Sequence, residues 1–165
     1  MEKGIGMVHV TFVTLGTLKE AYWRDAAAEY EKRLGAFCRF ELVQLREEKL
    51  PDAPSESEIR RALEKEAAAI LSAIPPRAYC VAMCVEGKQL SSEELAEQMA
   101  RVEQQTGEVC FIIGSSYGLA PSVKSRADLK LSVSKLTFPH QMMRVLLLEA
   151  VYRAFNIRKG TRYHK

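Results

Sequence analysis

Two hydrophobic periods alternate along the chain. Val8 to Leu15 reads as a buried strand that stops at Leu15-Gly16-Thr17. From Lys19 to Leu34 the apolar residues Tyr22, Trp23, Ala26, Ala27, Tyr30 and Leu34 recur at helical spacing, so one stripe faces a core. Gly35 is placed to close that helix. Phe37 to Leu45 alternates loosely, as a second strand does, and Arg46 to Ser55, with Pro51 and Pro54 among charges, predicts an exposed loop. Ser55 with Glu58 forms a capping box that opens a helix to about Ala73, where Pro75-Pro76 end it. Ala78 to Val85 predicts a third strand followed by the polar turn Glu86-Gly87-Lys88. A second capping box, Ser91 with Glu94, opens a helix to about Gln105.

The following stretch organises the rest. Val109-Cys110-Phe111-Ile112-Ile113 is short, continuous and rich in β-branched and aromatic residues, the mark of a strand buried on both faces. It ends at Gly114-Ser115-Ser116-Tyr117-Gly118, and Leu119-Ala120-Pro121 begins a helix. A second apolar run, Leu129 to Val133, leads through Ser134-Lys135-Leu136-Thr137-Phe138 to Pro139 and a long helix reaching about Asn156. That helix carries Met142, Met143, Val145, Leu146, Leu147, Val151, Tyr152 and Phe155, an apolar surface wide enough to meet a second subunit as well as the core. Strand and helix alternate throughout, which predicts an α/β fold, a mostly parallel sheet flanked by helices, in a single domain over 1–165. Two strand ends, each followed by a loop and a helix, place a pocket at the carboxyl edge of that sheet.

Composition narrows the class. With 47% hydrophobic and 27% charged residues the chain reads as an ordinary soluble protein. No apolar run approaches the ~20 residues needed to span a bilayer, and the first six residues lack a signal segment, so a cytoplasmic location is expected. Met7 serves equally well as a start, leaving 1–6 as a loose extension. Cys38, Cys80, Cys84 and Cys110 fall mostly in apolar surroundings and read as buried thiols; with His9, His140 and His164 they show no ligand spacing, so no metal is expected. The net charge of +3 hides an asymmetry: residues 124–165 hold ten Lys or Arg against only Asp128 and Glu149. A basic end on an acidic body suits a polyanion, although a solvated helix face explains the charge equally well.

The residues alone do not name a reaction. The loop at Gly114 lacks the Gly-Lys-Ser/Thr of a nucleotide-binding loop and the Gly-x-Gly-x-x-Gly of a dinucleotide fold. For Ser115 and Ser116, an acyl-transfer triad using His140 or His164 with Asp128 has only their presence behind it.

At FIIGSSYGL, LSVSKLTFPHQMMRVLLLEAVYRAF and a terminal YHK the chain closely resembles the RlmH family of SPOUT methyltransferases. LGTLKEAYWRDAAAEYEKRL and EGKQLSSEELA extend the likeness nearly end to end. The resemblance implies a deep trefoil knot in the carboxyl-terminal part of the sheet. It also implies S-adenosylmethionine-dependent methylation of N3 of a pseudouridine in the helix 69 loop of large-subunit ribosomal RNA, by a homodimer acting on assembled ribosomes. Carried over by motif, the cofactor site takes Met83, Gly114, Val133, Ser134, Lys135, Leu136, Thr137 and Phe138, with Met83, Leu136 and Phe138 as apolar walls and Gly114 giving clearance. For the acceptor, whose N3 must lose a proton, the tail residues Tyr163 and His164 are favoured, with Arg153, Arg144 or Arg162 for charge and His140 as a structural residue at a helix start. Two departures stand out: Ser115 replaces the second glycine of the family's doublet, and Thr161 stands where many relatives carry an acid. Two rival readings remain, a non-catalytic ribosome-binding protein of the same fold and an enzyme of the superfamily that methylates another RNA atom.

Overall fold

Strand and helix do alternate. The computed structural model describes residues 7–165, so the expectation for 1–6 lies outside the described residues. The order is β1 (His9–Leu15), α1 (Ala21–Leu34), β2 (Arg39–Leu45), α2 (Glu56–Ala73), β3 (Tyr79–Gln89), α3 (Ser92–Gln105), β4 (Glu108–Ile113), α4 (Pro121–Arg126), β5 (Leu129–Ser132) and α5 (His140–Lys159). The strands form one sheet in the order β2-β1-β4-β3-β5, and every pairing is parallel. Parallel neighbours need crossovers, and the helices that supply them cover both faces.

Side-chain alternation along the strands divides the core in two. Val10, Phe12 and Phe111 meet Leu34, Met99, Leu147, Val151 and Phe155 on the face covered by α1, α3 and α5. Val13, Leu15, Cys80, Cys110 and Ile112 meet Ala67, Ile70 and Val123 on the α2 and α4 face. Both capping boxes form: the Ser55 and Ser91 hydroxyls accept from the N–H groups of Glu58 and Glu94, whose carboxylates accept in return. All four cysteines are free and buried, and burial pushes the Cys110 thiol up to about 12 and Cys80 up to about 11.

Four local expectations change. Gly35 ends α1 with a right-handed φ of −57°, so it is not the left-handed cap its position suggests; Gly160, φ 68°, plays that part for α5. In the α1 stripe, Ala27 and Leu34 are buried, whereas Tyr22 is 65% exposed. Glu86-Gly87-Lys88 is not a turn. β3 runs through it with a bulge, so that Leu131 of β5 stands opposite both Met83 and Lys88. A Cβ at Gly87 would lie 2.7 Å from the Leu131 backbone, so glycine lets the two strands close there. Finally, α5 extends through Lys159, beyond the expected end at Asn156.

Candidate functional site

The carboxyl ends of β3, β4 and β5 surround a cavity of about 370 Å³, in the range of small-molecule sites. The β3 bulge turns Met83, Cys84, Val85 and Glu86 along one wall. β4 delivers Ile113 and then gives way to the loop 114–118, which is closed by a hydrogen bond from the Gly118 N–H to the Ser115 carbonyl at 2.9 Å. Gly118 has φ 86°, a conformation that only glycine adopts cheaply. Gly114 is constrained differently. A Cβ there would lie 2.5 Å from the Gly118 carbonyl oxygen and 2.9 Å from Leu119 Cδ2. Its missing side chain thus serves the loop's own closure.

Beyond β5 the chain turns back over the cavity. The Ser132 hydroxyl donates to the Ser134 carbonyl at 2.9 Å, and the Leu136 N–H donates to the Ser134 hydroxyl at 3.0 Å. This turn presents Val133, Ser134, Thr137 and Phe138 to the cavity, and α5 then adds His140 and Met143. His140 Nδ1 and the Ser116 hydroxyl are 3.4 Å apart, bridging the start of α5 to the loop 114–118. On the rim Lys124 donates to Glu86, which holds that carboxyl below the usual range.

Met83, Gly114, Val133, Ser134, Thr137 and Phe138 therefore share one cavity. Lys135 and Leu136 do not line it, and Leu136 is 72% exposed, so it supplies no apolar wall here. Sequence reasoning missed Ile113, the Glu86–Lys124 pair and Met143. The signal for Met143 was present, since it sits one helical turn after His140.

The tail residues stand elsewhere. The Tyr163 hydroxyl donates to Glu149 Oε2 at 2.6 Å, and Arg153 Nε donates to Glu149 Oε1 at 2.6 Å. The Arg153 guanidinium lies 4.7 Å from the centre of the Tyr163 ring. His164 fills the gap between Arg153 Nη1, at 3.2 Å, and Glu93 Oε1, at 2.7 Å. Burial first, then the bond to Glu149, pushes the Tyr163 phenol well above its ordinary value, so in this arrangement it keeps its proton. None of Tyr163, His164 and Arg153 lines the cavity of its own chain.

Two other candidates have internal duties. Arg144, 4% exposed, donates to Gln44 Oε1 at 3.0 Å and to the Gly16 carbonyl at 3.1 Å, tying α5 to the ends of β1 and β2. Asp128 accepts the Cys80 N–H at 2.8 Å and so clamps the start of β3. Among the described residues no group of His, Cys, Asp and Glu is arranged to hold a metal ion, and no helix is long and apolar enough to cross a membrane.

Apolar walls beside hydroxyls and loop backbone suit a small ligand that is part apolar and part polar. Comparison with known proteins narrows the class. The family model described as predicted SPOUT methyltransferase matches residues 8–164. Two proteins named ribosomal RNA large subunit methyltransferase H, from two strains of Streptococcus thermophilus, are each 48% identical over 160 residues, 94% of this chain and 99% of theirs. Among solved structures, a probable methylase family protein from Haemophilus influenzae shares the fold, with a TM-score of 0.54 at 14% identity over 94% of this chain and 70% of that one.

Proposed function

The chain belongs to the SPOUT methyltransferases, among the relatives named ribosomal RNA large subunit methyltransferase H, and on that premise we propose that it methylates N3 of a pseudouridine in the helix 69 loop of large-subunit ribosomal RNA. The observation that carries this reading is the cavity at the ends of β3, β4 and β5, formed by the segments that hold the family's motifs. S-adenosylmethionine supplies, when bound, a methyl group already activated on a sulfonium. Met83, Ile113, Phe138 and Met143 are the apolar surfaces that fit its adenine and thioether region. The hydroxyls and backbone groups of 114–118 and 133–137 fit its ribose and amino-acid end.

With the donor activated, the chain's task is chiefly to hold two reactants in line. The acceptor imide keeps its proton at neutral pH, so it also needs a proton acceptor or a cation beside it. Tyr163 and His164, with Arg153, are our candidates for that work. Within one chain they are bonded to Glu149 and Glu93, away from the cavity. A homodimer in which one subunit's tail reaches the other's cavity reconciles the two places, and the wide, half-buried apolar face of α5 at Met142, Val145 and Leu146 is surface for such pairing. The exposed basic residues of 124–165, Lys130, Lys135, Lys159, Arg162 and Lys165 among them, would grip phosphates and position the RNA. Acting on ribosomes, the protein would work in the cytoplasm.

Transfer of labelled methyl from S-adenosylmethionine to intact ribosomes, followed by mapping of the modified nucleotide, tests the reading. Label at N3 of a helix 69 pseudouridine is expected. Label on a ribose or another base would replace the substrate atom, and binding to ribosomes without transfer would leave a non-catalytic partner.

A further inference from the structure

We propose that the Glu86–Lys124 ion pair holds the amino-acid end of the cofactor, with the Glu86 carboxylate taking its ammonium and the Lys124 ammonium its carboxylate. The inference rests on reading the cavity as the S-adenosylmethionine site, and it adds the groups that read one end of that ligand. Lys124 Nζ donates to Glu86 Oε1 at 2.5 Å, joining α4 to the bulged part of β3. Both side chains line the cavity. Among the described residues around it, Glu86 supplies the one carboxylate and Lys124 the one side-chain ammonium, and no arginine is present. The rest of the lining is apolar or hydroxyl-bearing, apart from Cys84, His140 and the glycines.

Two separate features bring these charges to the rim. β3 continues past Val85 through its bulge, which carries Glu86 along the cavity wall. Val123 is fully buried in the core beneath α2 and α4, so the next residue, Lys124, leaves that core at the cavity's edge. The pair stands partly in solvent, with the Lys124 side chain 32% and the Glu86 side chain 58% exposed. An ion pair so placed adds little to stability, so bracing β3 against α4 is a weak reason for setting two charges at the mouth of a site. A zwitterionic ligand is a stronger one. The cofactor carries its ammonium and carboxylate on one carbon. An ammonium beside Glu86 and a carboxylate beside Lys124 make four charges that alternate in sign. The existing bond need not break, and each charge gains a second opposite neighbour. Before the ligand arrives, the same bond keeps the flexible lysine stem directed at the site.

Calorimetric titration of the full chain with three adenosine thioethers tests each pole of the pair. S-adenosylhomocysteine carries both charges, S-adenosyl-3-thiopropylamine keeps the ammonium alone, and 5′-methylthioadenosine has neither. The parent chain should bind them in that order, about five-fold more weakly at each step. K124M should lose about five-fold with S-adenosylhomocysteine and bind the other two no more weakly than the parent does. E86Q should lose about five-fold with both ligands that keep the ammonium, and hold 5′-methylthioadenosine within about two-fold of the parent. Equal losses with all three ligands would make the pair a brace between β3 and α4 and overturn the proposal. Parental affinity for S-adenosylhomocysteine in either variant overturns it too. Should a variant not fold, the parent chain decides. If it binds the three thioethers equally, the amino-acid end goes unread, and the proposal falls while the cofactor reading stands. If it binds none of them, the cofactor reading itself fails and takes the proposal with it.

Discussion

At Gly114 a single methyl group is too much, because the atoms it would meet at 2.5 and 2.8 Å are the backbone of Gly118. Backbone cannot swing aside as a side chain can, so G114A must open the turn from Ser115 to Gly118. Overpacking of this kind costs ~1–3 kcal/mol, and the strain falls on the loop that walls the cavity. We expect G114A to remain folded by circular dichroism while its affinity for S-adenosylhomocysteine drops more than about ten-fold; parental affinity would show the loop to be plastic. Glu66, buried in α2 at 4% exposure, makes a prediction about pH. Burial raises its pKa in the native chain above that of the unfolded chain, so the native state holds the proton more tightly. Its contribution to stability is thus fully present below the unfolded value of about 4.3 and is lost as pH rises through the raised one. Glu47 and Glu48 act on the group with like charge, which deepens the loss. E66Q cannot ionise and escapes it. In thermal melts from about pH 4 to about pH 8, the E66Q melting temperature should gain steadily on the parent, and a difference constant with pH would contradict the upward push of burial on Glu66.

At the scale of elements, what could be read from the sequence was whatever depends on neighbours along the chain. Each capping box is a contract between residues three apart, and the two at Ser55 and Ser91 form as read. Buried strands such as β4 announce themselves by unbroken apolar runs. What escaped depends on partners far away in sequence. Glu86-Gly87-Lys88 has turn composition, yet β5 is pressed against it, and Gly87 is there for the closeness of Leu131. The resulting bulge builds a wall of the cavity, so the missed element and the missed residues share one cause. Arg144 and Asp128 were open to reading as chemistry because charge in a sequence does not reveal its partner; Gln44, Gly16 and Cys80 are those partners. Leu136 entered as a wall through the family motif alone, whereas its N–H is committed to Ser134 and its side chain to solvent. The caps also offer a calibration. S91A removes the hydroxyl that accepts the Glu94 N–H at 3.0 Å; we expect a loss of ~1 kcal/mol, read as a melting temperature lower by about 2–4 °C. A loss near zero would mean that water replaces the cap fully.

On the scale of the whole molecule, the basic carboxyl-terminal segment does two things that composition could not separate. Some of its charge is spent inside one chain: Arg144 holds strand ends, and Arg153 and His164 lock the tail to Glu149 and Glu93. The knot and the acceptor's proton came to the sequence reading through resemblance alone, since threading and proton transfer leave no periodicity; pairing left only the wide apolar surface of α5. The tail is where these questions meet. If its residues act in the cavity of another subunit, the bonds of Tyr163 to Glu149 and of His164 to Glu93 describe a resting place that RNA binding must undo. A chain lacking residues 163–165 should then bind S-adenosylhomocysteine as the parent does, because no tail residue lines the cavity, yet transfer no methyl to ribosomes. G114A should fail for the opposite reason, with an intact tail and a spoiled loop. Mixing the two under conditions that exchange subunits should restore transfer that neither shows alone, since a mixed pair joins one sound cavity to one sound tail. Tails acting only within their own chain would leave the mixture as inactive as its parts. Full turnover by the truncated chain would remove Tyr163 and His164 from the reaction altogether. In that case His140, the one imidazole that lines the cavity, becomes the group to test as proton acceptor.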